Sequence, residues 1–138
     1  MKPQRSQRNL KNFKDKYPLK DITGRIISCG LEVHTRLGPG LLEKLYENAL
    51  AYEFDVRKIM YERQKEINLQ YKSHPIGQHR IDFLVENEIV VELKAVETIH
   101  DIYQAQLLTY LKAMNKKVGL LLNFNVERLK SGIKRLII

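Results

Sequence analysis

Ile89-Val90-Val91-Glu92-Leu93-Lys94-Ala95-Val96 is a nearly unbroken apolar, β-branched run with two charges set into it. A run of this kind reads as a strand buried on both faces, which confines the chain to folds with a covered sheet. Residues two apart on a strand project to the same side, so Glu92 and Lys94 point together. Taking a charge out of water without a partner costs roughly several kcal/mol, so charges at such a place are rarely idle.

Arg80-Ile81-Asp82-Phe83-Leu84-Val85 precedes this run and adds a third charge. If the hairpin turns through Glu86, Asn87 and Glu88, Val85 pairs with Ile89 and Asp82 falls opposite Glu92. A two-residue turn of Asn87-Glu88 would instead set Asp82 against Leu93, on the other face. Two carboxylates directly across a ladder repel unless something positive lies between them. A divalent cation supplies that charge, and Lys94 is the nearest fixed one. Hard cations take carboxylate oxygens, and the Leu93 carbonyl is a further candidate ligand. In this register Arg80 shares the face as a rim contact to phosphate.

The remaining segments arrange themselves around that pair. Asp21 is a candidate N-cap for a helix carrying Ile22, Ile26, Ile27, Leu31 and Val33, stopped by Gly38-Pro39-Gly40. A second helix is expected from about Leu41 to Val56, with Leu42, Leu45, Ala49 and Leu50 at core spacing. Strands follow at Ile59 to Gln64 and Glu66 to Tyr71, with a turn through Ser73-His74-Pro75-Ile76-Gly77. His100 to Met114 reads as a helix, Val118 to Asn123 as a buried strand and Ile133 to Ile138 as a short final one. Helix, helix, strands, helix, strand is the order of an α/β fold with one mixed central sheet flanked by helices.

The length of 138 residues suits one domain with one core. No apolar run is long enough to cross a bilayer, and the basic N-terminus lacks the apolar stretch of a secretory signal. Cys29 is the only cysteine, which excludes an intramolecular disulfide and fits a reducing, cytoplasmic setting. Much of the net charge of +8 sits in residues 1–20, where Lys2, Arg5, Arg8 and four further lysines face only Asp15. That stretch reads as a flexible basic arm ahead of a nearly balanced domain at 21–138. It either holds phosphate through counterion release or serves only as a solubilising tail.

Asp82 followed by Glu92-Leu93-Lys94 resembles the D…ExK signature of the PD-(D/E)XK nuclease superfamily, with Ile81 where many members have proline. Gly40-Leu41-Leu42-Glu43-Lys44-Leu45-Tyr46 resembles the motif that names its GxxExxY branch. The likeness runs from about Ile22 to the C-terminus. It takes in Val33-His34, the pair Gln106 and Tyr110, and Val118 through Phe124. It implies a restriction-endonuclease-like fold and a Mg²⁺- or Mn²⁺-dependent nuclease that hydrolyses nucleic acid, DNA favoured over RNA, by direct attack of water. It implies that Asp82 and Glu92 hold the metal, that Glu43 completes or tunes the site, and that Lys94 activates water. Gln106 and Tyr110 then resemble the QxxxY element that positions groups around the metal.

Each of these residues also has a plain reading. Glu43 suits the first turn of a helix. Tyr46, three residues on, either reaches a phosphate oxygen or packs in the core with its hydroxyl satisfied. Gln106 and Tyr110 share a face of an ordinary amphipathic helix. His34 sits where a helix C-terminus favours a histidine, and His74, His79 and His100 show no zinc spacing. The rival function is a catalytically silent module that binds nucleic acid or protein on the same fold. A regulatory subunit docking through its basic arm is a third reading. A domain this small leaves room for a homodimer or an accessory protein partner.

Overall fold

The computed structural model describes residues 19–138. Helix α1 spans Lys20–Leu37, α2 spans Glu43–Val56 and α3 spans Asp101–Met114. The strands are β1 (Tyr61–Tyr71), β2 (His74–Val85), β3 (Ile89–Lys94), β4 (Val118–Asn123) and β5 (Ile133–Ile137), with a 3₁₀ turn at Leu129–Gly132. They form one five-stranded sheet in the order β1-β2-β3-β4-β5. Only the β3–β4 pair is parallel, joined by the crossover through α3, so the sheet is mixed. The α/β architecture agrees with the sequence reading.

Helices cover both faces. Phe83, Val85, Val91, Leu93, Leu120 and Leu122 pack with Ile26, Cys29, Leu50 and Phe54 of α1 and α2. Leu84, Val90 and Leu121 pack on the other side with Leu107, Tyr110 and Leu111 of α3. Gly119 lets α3 come close: a Cβ there would meet the Leu107 side chain at 3.0 Å. β4 and all of β3 but Lys94 are buried. That explains the apolar runs that made them legible.

The structure corrects several local expectations. α1 begins at Lys20, so Asp21 lies in its first turn and does not cap it. α2 begins at Glu43, and its buried face is Tyr46, Glu47, Leu50, Ala51 and Phe54. Leu42 and Leu45 are exposed. The expected strands on either side of Lys65 are one long strand with an internal irregularity.

That irregularity lies at Gln64, whose φ is 53°, in the left-handed region that side chains other than glycine seldom occupy. Gln64 faces Asp82, between the paired residues Arg63↔Phe83 and Lys65↔Ile81. Before this level, Tyr61, Arg63 and Phe83 point toward α2: Tyr61 and Phe83 pack on Phe54, and Arg63 reaches Glu47. Beyond it, Ile67, Ile81 and His79 point toward α3. Residues of one parity therefore change sides on both strands without loss of register. The reversal turns Arg80 away from the face of Asp82 and Glu92 on which it was expected; it is exposed and paired with Glu66 at 3.3 Å.

Candidate active site

The hairpin register is Phe83↔Val91, Leu84↔Val90 and Val85↔Ile89, so the three-residue turn holds and Asp82 comes level with Glu92. Side-chain bonds take over where that ladder ends. The Leu93 amide donates to Asp82 Oδ2 at 2.8 Å, and the Asp82 amide donates to Glu92 Oε1 at 3.3 Å. Each carboxylate thus occupies a backbone donor of the opposite strand, and the two meet side by side. Glu92 is 8% exposed.

Such a pair cannot stay doubly charged cheaply. Burial first, then the neighbouring Asp82 charge, pushes the Glu92 carboxyl up to about 9. Burial also raises Asp82, with Glu47 adding to it, against the opposing bond from Leu93. Lys94 does not quench the charge by contact: its ammonium lies over the Tyr103 ring, 4.7 Å from the centroid, and no ion pair among the described residues joins it to either acid. The chain after Lys94 is anchored by Asn123, whose side chain accepts from Val96 N at 3.1 Å and donates to Val96 O at 2.8 Å.

Glu43 opens α2 with its carboxyl toward this pair. Burial raises its pKa, the Asp82 charge raises it further, and Lys94 opposes. Among the described residues no three His, Cys, Asp or Glu side chains form a ready metal-ligand cluster, so Glu43 faces the pair without joining it. A buried carboxylate beside a half-buried one, short of positive charge, nevertheless fits a hard divalent cation. Asp82 and Glu92 would hold it. Leu93 contributes its amide to the site, while its side chain is wholly buried in the core.

On the α3 side, Gln106, Tyr110 and Tyr103 line a cavity of about 300 Å³ together with Glu92, Lys94 and His79. The expected helical pair therefore does come beside the acids. Gln106 is exposed. The Tyr110 hydroxyl is raised by burial and by the charges of Glu92 and Asp82. His79 stacks on Tyr110 with ring centroids 4.3 Å apart, a neighbour that its place beside a turn gave no reason to expect.

The residues that sequence reasoning missed altogether are Glu47 and Gln64. Glu47 is buried and accepts from Lys44 at 2.9 Å, Arg63 at 2.7 Å and Gln64 at 2.6 Å. Burial alone would raise its pKa, but the bonds and charges of Lys44 and Arg63 outweigh it and hold Glu47 low. Gln64 also donates to Asp82 Oδ1 at 3.3 Å, which links the Asp82–Glu92 pair to this inner carboxylate.

Other candidates fall outside. Tyr46 is wholly buried, stacks on Phe124 and donates to Gly38 O at 2.6 Å while accepting from Leu41 N at 3.1 Å. It braces the turn between α1 and α2 and is withdrawn as a phosphate contact. His34 is buried too, with Nε2 bonded to Val126 O at 2.8 Å and Phe124 O at 3.1 Å, a structural role. Lys2, Arg5 and Arg8 lie outside the described residues.

Among curated proteins, none matches the chain. A model of the PD-(D/E)XK nuclease superfamily matches residues 20–136, nearly the whole described structure. With the acids, the lysine and the mixed sheet in place, the chain belongs to the PD-(D/E)XK nuclease superfamily.

Proposed function

We propose that the protein is a metal-dependent nuclease that hydrolyses phosphodiester bonds in nucleic acid, DNA in preference to RNA, and that it falls in the GxxExxY branch through Gly40, Glu43 and Tyr46. The observation that carries this reading is the contact of half-buried Asp82 with buried Glu92, with Lys94 two residues on along the same strand. Mg²⁺ or Mn²⁺ held by the two carboxylates supplies Lewis-acid charge that favours attack by water on phosphorus. Lys94 stands beside the reacting phosphate, where its ammonium steadies the charge that builds on the oxygens. Tyr103 holds that ammonium in place from below. Gln106, whose amide makes no hydrogen bond among the described residues, is free to donate to the substrate backbone. Water gives a proton to solvent as its oxygen bonds to phosphorus, the P–O ester bond breaks and its oxygen leaves with a proton taken from solvent, and no side chain becomes covalently linked.

The second reading is a silent binding module, favoured by the fact that Glu43 stays outside the carboxylate pair. A cleavage assay separates the two. Purified protein with Mn²⁺ or Mg²⁺ is expected to cut DNA, and Lys94→Ala is expected not to. Equal cleavage by both, or none by either on single- and double-stranded substrates, favours the module. No described helix is long and apolar enough to cross a membrane. The buried free thiol of Cys29 accords with a cytoplasmic setting.

A further inference from the structure

A groove of about 810 Å³ runs between β1 and α3. One wall carries Lys65, Asn68 and Gln70 of β1, and the other carries Thr109, Lys112 and, just past the helix end, Lys116. No acidic residue lines it. The other basic hollows differ: one beside α1 sets Asp21 among Lys20, Arg25 and Arg57, and another sets Glu127 beside Arg128 and Lys130. Arg57 is moreover tied to Glu53 at 2.8 Å. Of the three lysines in the β1–α3 groove only Lys65 is engaged, by an exposed Glu62 at 2.7 Å; Lys112 and Lys116 form no ion pair among the described residues, while Asn68 accepts from Gln78 at 3.1 Å and Thr109 donates to Ala105 O at 3.1 Å. Lys112 alone would be explained by the helix dipole. Three lysines from both walls are not.

The position is also defined. Asn115 closes α3 in the left-handed conformation and Lys116 N donates to Leu111 O at 2.9 Å, which fixes the backbone that carries the last lysine. The same helix supplies Gln106 and Tyr110 to the cavity beside Glu92, so groove and cavity share a wall. We propose that the β1–α3 groove binds the sugar-phosphate backbone of one nucleic-acid strand running to or from the catalytic cavity, with Lys65, Lys112 and Lys116 against successive phosphates. The proposal rests on the nuclease reading and adds the path of the substrate to it. A groove walled on both sides by protein suits one backbone, and lysines read phosphate as point charges without sequence preference.

Fluorescence anisotropy with a labelled single-stranded oligodeoxynucleotide, in EDTA and over a series of salt concentrations, tests this directly. Lys112→Ala/Lys116→Ala is expected to bind about tenfold more weakly near physiological salt and to lose about 1.4 from the salt slope, ~0.7 for each contact. Lys58→Ala/Lys134→Ala removes the same charge away from the groove and is expected to keep the wild-type slope. Lys112→Arg/Lys116→Arg should restore binding. A groove variant no different from that control, or a wild type that does not bind the strand, overturns the proposal. Failure of the nuclease reading looks different: the wild type then binds with the predicted slope and never cuts in Mg²⁺ or Mn²⁺.

Discussion

The amide of Asp82 donates to Glu92 Oε1 at 3.3 Å, so the nearest acid on β2 comes into the hydrogen-bonding sphere of the acid on β3. Repulsion that a surface hairpin would relieve by splaying is held in place by the strands on either side. Without a cation, the pair is a cost to the fold and retains a proton.

A pH dependence follows with a definite sign. Glu92 has an ordinary value of 4.5 and is raised to about 9 in the folded chain, and Asp82 is raised as well. Between those limits the folded state binds more protons than the unfolded one, so stability falls as pH rises. Glu47 acts oppositely: it is held low, and its contribution is lost only as pH drops below its ordinary range. Metal-free protein should therefore be most stable near pH 5 and weaken toward pH 9 in urea titrations. Glu92→Gln should remove most of that decline and be more stable than wild type at pH 8 by a few kcal/mol, the order expected for an uncompensated buried carboxylate. Parallel curves for the two proteins would refute this.

Divalent ions should reverse the effect. Mn²⁺ entering between the acids displaces the retained proton, so calorimetry at pH 7.5 in buffers of different ionisation enthalpy should register release of about one proton. The melting temperature should rise with Mn²⁺ in wild type and stay fixed in Asp82→Asn and Glu92→Gln. Full affinity in both variants would remove the metal from the account.

Gln64 has two roles that substitution can separate. Its side chain bridges Glu47 and Asp82, and its backbone adopts φ 53°. Gln64→Ala loses the bridge and keeps the strain, while Gln64→Gly loses the bridge and relieves the strain. The glycine variant should be the more stable of the two by about 1 kcal/mol. Both should cut more slowly than wild type if Asp82 needs the bridge to hold its orientation.

Removing the Tyr46 hydroxyl tests its reassignment. Tyr46→Phe leaves Gly38 O and Leu41 N without their partner and should cost about 1–2 kcal/mol in denaturant. Cleavage per folded molecule should be unchanged. A rate loss with no loss of stability would return the tyrosine to the substrate.

What was legible in the sequence follows from how local each signal is. β3 and β4 are buried on both faces, so their composition alone marked them, and the three-residue turn then set Asp82 against Glu92. The phase of α2 was misjudged because Leu42 and Leu45 look like core, whereas a start at Glu43 turns Tyr46 and Glu47 inward. Glu47 on its own looks like the polar edge of a helix. Its burial depends on Arg63 and Gln64, which arrive from β1 well along the chain. Gln64 lacks any turn residue beside it, so its left-handed backbone has no local signature and the break it makes read as a strand end.

Lys94 and Tyr103 test whether the chemistry depends on an ammonium held at a fixed place. The cation sits 4.7 Å from the ring centroid and makes no ion pair among the described residues, so the aromatic face is its chief constraint. Lys94→Ala should lower the cleavage rate by about 10²–10³-fold, the range for losing one donor to developing charge. Lys94→Arg should recover little, because a planar fork does not present the same point charge. Tyr103→Leu removes an interaction worth about 0.5–1 kcal/mol and should slow cleavage by roughly two- to fivefold, with KM near wild type. The melting temperature should move little in Lys94→Ala, since the ammonium forms no ion pair with Asp82 or Glu92 and is the smallest of the influences on either. If Lys94→Ala unfolds the protein while Tyr103→Leu cuts at the wild-type rate, the lysine is a structural counter-charge to Asp82 and Glu92, and the charge that builds on the phosphate oxygens must be met by another group.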